Sequence, residues 1–152
     1  MKDKTIDYLL RATWQAVTKM YNEEASKFDS TMATGFTLLS IDPEHGSPST
    51  TLGPRMGMEA TSLSRILKNM ENKGLITRKP NPEDGRGVLI CLTPFGQEKR
   101  TVSKEVVLKF NDIVKKNVTD EDLKGFIKVT ETINELISEK KIYHNENTKN
   151  NE

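Results

Sequence analysis

The chain carries one cysteine, Cys91, in 152 residues, which excludes an internal disulfide and any zinc site built on paired cysteines. His45 and His144 lie far apart, and neither stands at metal-ligand spacing from another donor. Long apolar runs are missing too: none approaches the roughly 20 residues that cross a bilayer. The opening stretch MKDKTIDYLL intersperses charge where a secretory signal needs apolar residues. The expectation is a cytoplasmic chain with no membrane partner. A His/Asp/Ser constellation, a phosphate-cradling loop and a metal cluster are all absent from the sequence, so it does not read as an enzyme and no cofactor is expected.

A surplus of one charge sign is also missing overall, with a net charge of +1. The distribution is uneven, however. Residues 1–54 hold five basic and seven acidic groups, and residues 91–152 hold eleven of each. Residues 55–90 hold seven basic against four acidic groups, so the middle of the chain alone is distinctly basic. A small nucleic-acid-reading lobe on a neutral scaffold has this pattern.

What is present is helical periodicity. The length suits one folded unit with a real core. From Lys4 to about Phe28, Ile6, Leu9, Leu10, Val17, Met20, Tyr21, Ala25 and Phe28 recur at three- and four-residue intervals, which predicts a long first helix. Asp29 and Ser30 offer a break and an N-cap before a shorter helix that ends near Asp42-Pro43. Ser47 is then expected to cap, and Pro48 to begin, a short third helix with an irregular last turn at Pro54, closed by Gly57.

From Glu59 to Lys73, Leu63, Ile66, Leu67 and Met70 alternate with polar residues, and Gly74 ends this fourth helix. Two helices joined by a short glycine-containing turn, the second with a polar outer face, form a helix-turn-helix pattern. Two β-rich runs follow, 75–79 and 87–93. The intervening residues 80–86, with two prolines, Asp84-Gly85 and Arg86, read as a loop too long for a tight hairpin and are expected to project as a flexible basic wing. Thr93 with Pro94 starts a fifth helix carrying Val102, Val106, Phe110, Ile113 and Val114. Thr119 and Asp122 form a capping-box pattern that opens a sixth, with Leu123, Phe126, Ile127, Thr130, Ile133 and Ile137 on one face. The polar tail, 143–152, is expected to be disordered.

The run from Leu52 through Ser62-Leu63-Ser64-Arg65-Ile66-Leu67, Lys73-Gly74-Leu75-Ile76, Asp84-Gly85-Arg86 and Leu92-Thr93-Pro94-Phe95-Gly96 resembles the MarR family of winged helix-turn-helix regulators. With a long helix before it and two after, the resemblance spans almost the whole chain. It implies a mainly α fold with six helices and a small β wing. One MarR-like domain over 1–142 is implied, with a DNA-binding lobe at about 31–96 and dimerisation helices over 4–28 and 97–142. Carried onto this sequence, it places Thr61, Ser62, Ser64, Arg65 and Lys68 at the major groove or its phosphates, Arg86 in the minor groove and Asp84 as the residue that orients the wing. The implied partners are a second copy of the chain and duplex DNA with a pseudo-palindromic operator; the implied role is a repressor released by a small aromatic or phenolic effector. The chain departs from the family pattern at Gly53, Pro54 and Met56 in the third helix, and at Glu59, where a better N-cap is common.

Each feature has a plainer reading. A polar helix face is usually just solvated, and Arg86 alone would be a surface arginine; their adjacency favours DNA. A winged helix serving as a protein-interaction module is the alternative, although a hydroxyl-rich helix lacks the aromatic anchors such contacts favour. Tyr8, Trp14, Met20, Tyr21, Met32 and Phe36 are candidates to line an effector cleft, and core or dimer packing explains them equally well. Cys91 lies in a strand without an adjacent pKa-lowering charge and is expected to be inert, and both histidines are expected in solvent.

Overall fold

A computed structural model describes residues 4–143, so His144 and the expected disorder of the tail lie outside the described residues, Tyr143 apart. The elements are α1 (Ile6–Ser26), α2 (Met32–Ser40), β1 (Ser47–Pro48), α3 (Ser49–Met56), α4 (Ala60–Asn72), β2 (Ile76–Asn81), β3 (Asp84–Leu92), α5 (Pro94–Lys116) and α6 (Asp120–Ser138). Six helices and a three-stranded antiparallel sheet ordered β1-β3-β2 make a winged-helix architecture. The chain forms two compact units that divide within α5, one ending at Val107 and the other beginning at Leu108.

Local chemistry sets the boundaries of the first unit. Thr5 caps α1, its hydroxyl accepting from the Tyr8 N–H at 3.4 Å, and Asp7 in the first turn faces the positive end of the helix dipole. The Thr5 hydroxyl also holds the Asp7 carboxyl below its usual pKa. The cap of α2 is Thr31, which accepts from Thr34 N at 3.2 Å; Asp29 and Ser30 form the break instead. Gly57 and Gly74 take φ of 62° and 74° and follow α3 and α4, as their positions in the sequence imply. The core gathers Leu38 and Ile41 from the α2 end, Leu52 from α3, Leu63, Leu67 and Met70 from α4, and Ile76 and Ile90 from the sheet. Fully burying one such side chain stabilises by roughly 1.5–3 kcal/mol.

Two expectations fail here. Ser47 and Pro48 do not start a helix but form β1, pairing with Ile90 and Leu89. The buried Ser47 hydroxyl accepts from Asp42 N at 2.9 Å, and α3 begins after Pro48 with no side-chain cap. Second, residues 80–86 are not a long loop. Pairing continues from Ile76↔Leu92 to Pro80↔Val88 and, after a register shift, to Asn81↔Asp84, leaving Pro82 and Glu83 as a two-residue connection. Pro80 is tolerated because β2 is an edge strand, where the missing N–H need not break the ladder. The tip is then closed by side chains: Asn81 Oδ1 accepts from Glu83 N, and Asp84 Oδ1 accepts from Arg86 N, each at 3.1 Å.

The second unit is the rest of α5, a turn and α6. Thr119 and Asp122 make the expected capping box: Asp122 N donates to Thr119 Oγ1 at 3.1 Å, and Thr119 N donates to Asp122 Oδ2 at 3.0 Å. The Thr119 hydroxyl, which donates to the same carboxylate, and the Thr119 N–H hold the Asp122 pKa below its ordinary value. No residue of α6 is buried within the chain.

Candidate nucleic-acid interface

Helix α4 divides cleanly into two faces. Leu63, Leu67 and Met70 are buried, while Thr61, Ser62, Ser64, Arg65 and Lys68 are all exposed. The division follows from the three- and four-residue spacing of its apolar positions. Glu59 stands at the N-cap with no side-chain hydrogen bond, as its residue type implies. Before α4, the chain turns tightly after α3, with Met58 N donating to Gly53 O at 2.9 Å.

Two of the arginines of this region have internal partners. Arg78 Nε donates to Glu71 Oε2 at 2.8 Å, tying β2 to the C-terminal half of α4. Arg55 donates to the Ser40 carbonyl at 2.8 Å, bracing α3 against the end of α2. These arginines serve the frame of the lobe. Among the described residues, Arg65, Lys68 and Arg86 have no carboxylate partner, and all three are exposed. A cation that need not break an internal pair is ready to meet phosphate or a base edge.

Arg86 follows the two-residue turn, on an exposed stretch of β3. Its backbone N–H donates to Asp84 Oδ1 at 3.1 Å. The base of the wing is anchored at Leu92-Thr93-Pro94-Phe95-Gly96. Thr93 N donates to Leu75 O at 3.0 Å, the Thr93 hydroxyl donates to Gly74 O, and Gly96 N donates to Thr93 Oγ1 at 3.0 Å. One threonine thus caps α5 and pins the end of β3 to the segment leaving α4.

A small cavity of about 50 Å³ lies in the first unit, among α1, α2 and the first part of α5. Tyr21, Met32 and Phe36 of the six effector-cleft candidates line it. Tyr21 and Phe36 meet edge to face, with centroids 5.6 Å apart, and burial raises the Tyr21 pKa. Tyr8, Trp14 and Met20 lie elsewhere on α1, Tyr8 and Trp14 being exposed. The sequence reading missed Phe28, Lys99, Val102 and Val106, which also line the cavity. The spacing 99, 102 and 106 on one helix was the available signal.

Cys91 is half-buried on β3 opposite Thr77, and a Cβ built on Gly46 would stand 2.7 Å from its sulfur. His45 is exposed beside Asp42; the Asp42 carboxyl accepts from the backbone N–H groups of His45 and Glu44, which lower its pKa. Among the described residues no group of three His, Cys, Asp or Glu is placed to hold a metal, and no helix is long and apolar enough to cross a membrane.

Comparison with known proteins agrees with this geometry. The MarR family profile matches residues 31–88, which cover α2 through most of the wing. The chain is 30% identical over 118 residues to the HTH-type transcriptional regulator SarZ of Staphylococcus saprophyticus, an alignment spanning 72% of this chain and 81% of that protein. It is 35% identical over 89 residues to the organic hydroperoxide resistance transcriptional regulator of Bacillus subtilis, covering 59% and 60% of the two chains. Among solved structures, a mutant MarR from E. coli complexed with operator DNA superposes with a TM-score of 0.75 at 26% identity, over 84% of this chain and 92% of that one. The exposed, hydroxyl-rich and basic face of α4, the Asp84-Arg86 wing and these likenesses together establish that the chain belongs to the MarR family of DNA-binding transcriptional regulators.

Proposed function

We propose that the chain is a sequence-specific repressor that acts in the cytoplasm as a homodimer on a pseudo-palindromic operator and is released by a small aromatic or phenolic molecule. The observation that carries this reading is that Arg65 and Lys68 on the outer face of α4 and Arg86 on the wing are exposed cations without a carboxylate partner among the described residues. In it, residues 31–96 read DNA: Thr61, Ser62 and Ser64 let α4 sit close to base edges, Arg65 and Lys68 contact a base edge or phosphate, and Arg86 enters the minor groove, where a narrow groove concentrates negative potential. Asp84 positions the wing. Residues 4–28 and 97–142 supply the dimer contacts. In support, each unit exposes large apolar side chains: Ile6 and Trp14 on α1 are 60% and 54% exposed, and Phe126 and Ile137 on α6 are 63% and 58% exposed. Such faces mark association surfaces.

The cavity bounded by Tyr21, Met32 and Phe36 is lined mainly by apolar side chains and, at about 50 Å³, must widen to admit the body of an aromatic effector. Selection of genomic fragments by the purified protein, repeated with a panel of aromatic acids, tests the proposal. Recovered fragments should share an inverted repeat with half-sites about one helical turn apart, and an effector should weaken binding by roughly 5- to 150-fold. Fragments with no shared sequence, or a clean monomer in sedimentation at micromolar concentration, would contradict it.

A further inference from the structure

The wing hairpin is tied to the reading helix at two places, both within the first unit. At its base, Leu75 N donates to Met70 O at 2.9 Å and Leu75 O accepts from Thr93 N at 3.0 Å, so both strands are held where they leave the end of α4. The second place is the ion pair between Arg78 Nε and Glu71 Oε2, at 2.8 Å. Side chains alternate along a strand, so Ile76, Arg78 and Pro80 share one face of β2, and their β3 partners Leu92, Ile90 and Val88 share it too. Ile76 and Ile90 are buried in the core on that face. Arg78 is thus a charge on the core-side face, at the free edge of the sheet, and it reaches the last turn of α4. Among the described residues, this pair is the one side-chain hydrogen bond between α4 and the sheet. Beyond the pairing of Arg78 with Ile90, no described residue of the hairpin is buried. At about 3.3 Å per strand residue, Arg78 stands roughly 10 Å along β2 from the Leu75 anchor and Pro82 at the tip roughly 23 Å. A small swing about the base is therefore magnified at the tip, and the ion pair is where such a swing meets resistance.

We infer that Glu71 and Arg78 are positioning residues for operator recognition: their ion pair fixes the wing against the reading helix, so that α4 and Arg86 meet adjacent grooves in one arrangement. They act through α4 and Arg86 and not by their own contact with DNA. The inference rests on reading α4 and the wing as a sequence-specific DNA surface. A duplex of the right sequence rewards a fixed arrangement, whereas a scrambled duplex, held through phosphate charge, depends on it less. Breaking the pair leaves a smaller fraction of molecules aligned before binding, and the worth of a partly exposed pair limits the loss of operator affinity to about two- to fivefold. The sign of the charge makes Glu71 informative. A carboxylate that merely repelled DNA would, on conversion to an amide, tighten binding and release Arg78 to phosphate; a positioning carboxylate weakens operator binding when it is lost.

Anisotropy titrations should compare the duplex recovered by genomic selection with a scrambled one, at two salt concentrations, for the parent, Glu71→Gln, Arg78→Met and the double variant. Glu71→Gln should lose about two- to fivefold on the operator, keep its affinity for the scrambled duplex and keep the parental salt slope. The double variant has the parent's net charge, yet it should lose the same operator preference as Glu71→Gln, because one pair is broken once. Arg78→Lys, which keeps a charged donor, should recover part of that preference. Without DNA, residual dipolar couplings of the α4 and β2–β3 amides should fit a single orientation in the parent and require a reduced amplitude for the hairpin in Glu71→Gln. Operator binding by Glu71→Gln as tight as the parent's or tighter, a steeper salt slope in that variant, parental preference in the double variant, or unchanged hairpin couplings would overturn the inference. A parent that binds both duplexes equally, with hairpin couplings that do change in Glu71→Gln, would overturn the sequence-specific reading and uphold the pair as the device that fixes the wing.

Discussion

The α-carbon of Gly96 lies so close beneath the Leu75 carbonyl that a Cβ there would stand 2.0 Å from the oxygen. No side chain fits, because the obstructing atom is backbone. Gly96 therefore lets α5 start directly against the segment that links α4 to β2. Gly96→Ala should destabilise the protein by about 2 kcal/mol or more, since the clash cannot be relieved by rotating a side chain. Chemical denaturation checks this; an unchanged midpoint would show that the two segments separate easily.

Asp84 contributes through an acceptor oxygen, so two substitutions at this position should differ. Asp84→Asn keeps a carbonyl oxygen for Arg86 N, whereas Asp84→Ala removes it. Both eliminate the negative charge. The asparagine variant should therefore bind operator DNA more tightly than the alanine variant, with equal thermal stability, in an anisotropy titration. Equal affinity for the two would mean that the tip is held without this bond.

Arg78 and Arg86 should behave differently despite both lying in the wing hairpin. Arg78 is already engaged with Glu71, and a partly exposed pair of this kind adds about 0–1 kcal/mol to stability. Arg78→Ala should leave the salt dependence of DNA binding almost intact, whereas Arg86→Ala should flatten it. Matching slopes for the parent and both variants would remove Arg86 from the interface.

The Asp122 cap gives α6 a defined response to acid. Its folded-state pKa is lowered by hydrogen bonds from Thr119. The stabilisation is therefore fully present above the ordinary carboxylate pKa of about 3.9 and is lost as pH falls through the lower folded value. Thr119→Ala should shift the Asp122 titration upward, toward the ordinary value, in a carboxyl-resolved NMR experiment. An unmoved titration would contradict the assigned cause.

Much of this architecture was legible from local signals. The capping box at Thr119 and Asp122, the glycines after α3 and α4, and the buried face of α4 are all written within a few residues of where they act. Elements fixed by distant partners were harder to read. Ser47-Pro48 has the chemistry of a helix start, and only pairing with Leu89 and Ile90 makes it a strand. The wing residues Pro80, Asn81, Asp84 and Gly85 have turn composition, yet the ladder extends through them because an edge strand accepts proline and a register shift absorbs the mismatch. The cavity was half legible for the same reason. Tyr21, Met32 and Phe36 stood out as large side chains on α1 and α2, whereas the contribution of α5 depended on how helices far apart in sequence meet.

The division of work between Arg65 and Arg86 is the most direct test. Fluorescence anisotropy should compare the selected operator with a scrambled duplex at two salt concentrations, for the parent, Arg65→Ala and Arg86→Ala. With a base contact, Arg65→Ala should cost about 1–3 kcal/mol on the operator and much less on the scrambled duplex; with a phosphate contact alone, the loss should be equal on both. On the proposed minor-groove contact, Arg86→Ala should weaken binding to both duplexes and reduce the slope of log affinity against log salt, because such a contact reads groove charge and width. If both variants bind both duplexes as tightly as the parent at both salt concentrations, the DNA-reading surface assigned here to α4 and the wing is wrong.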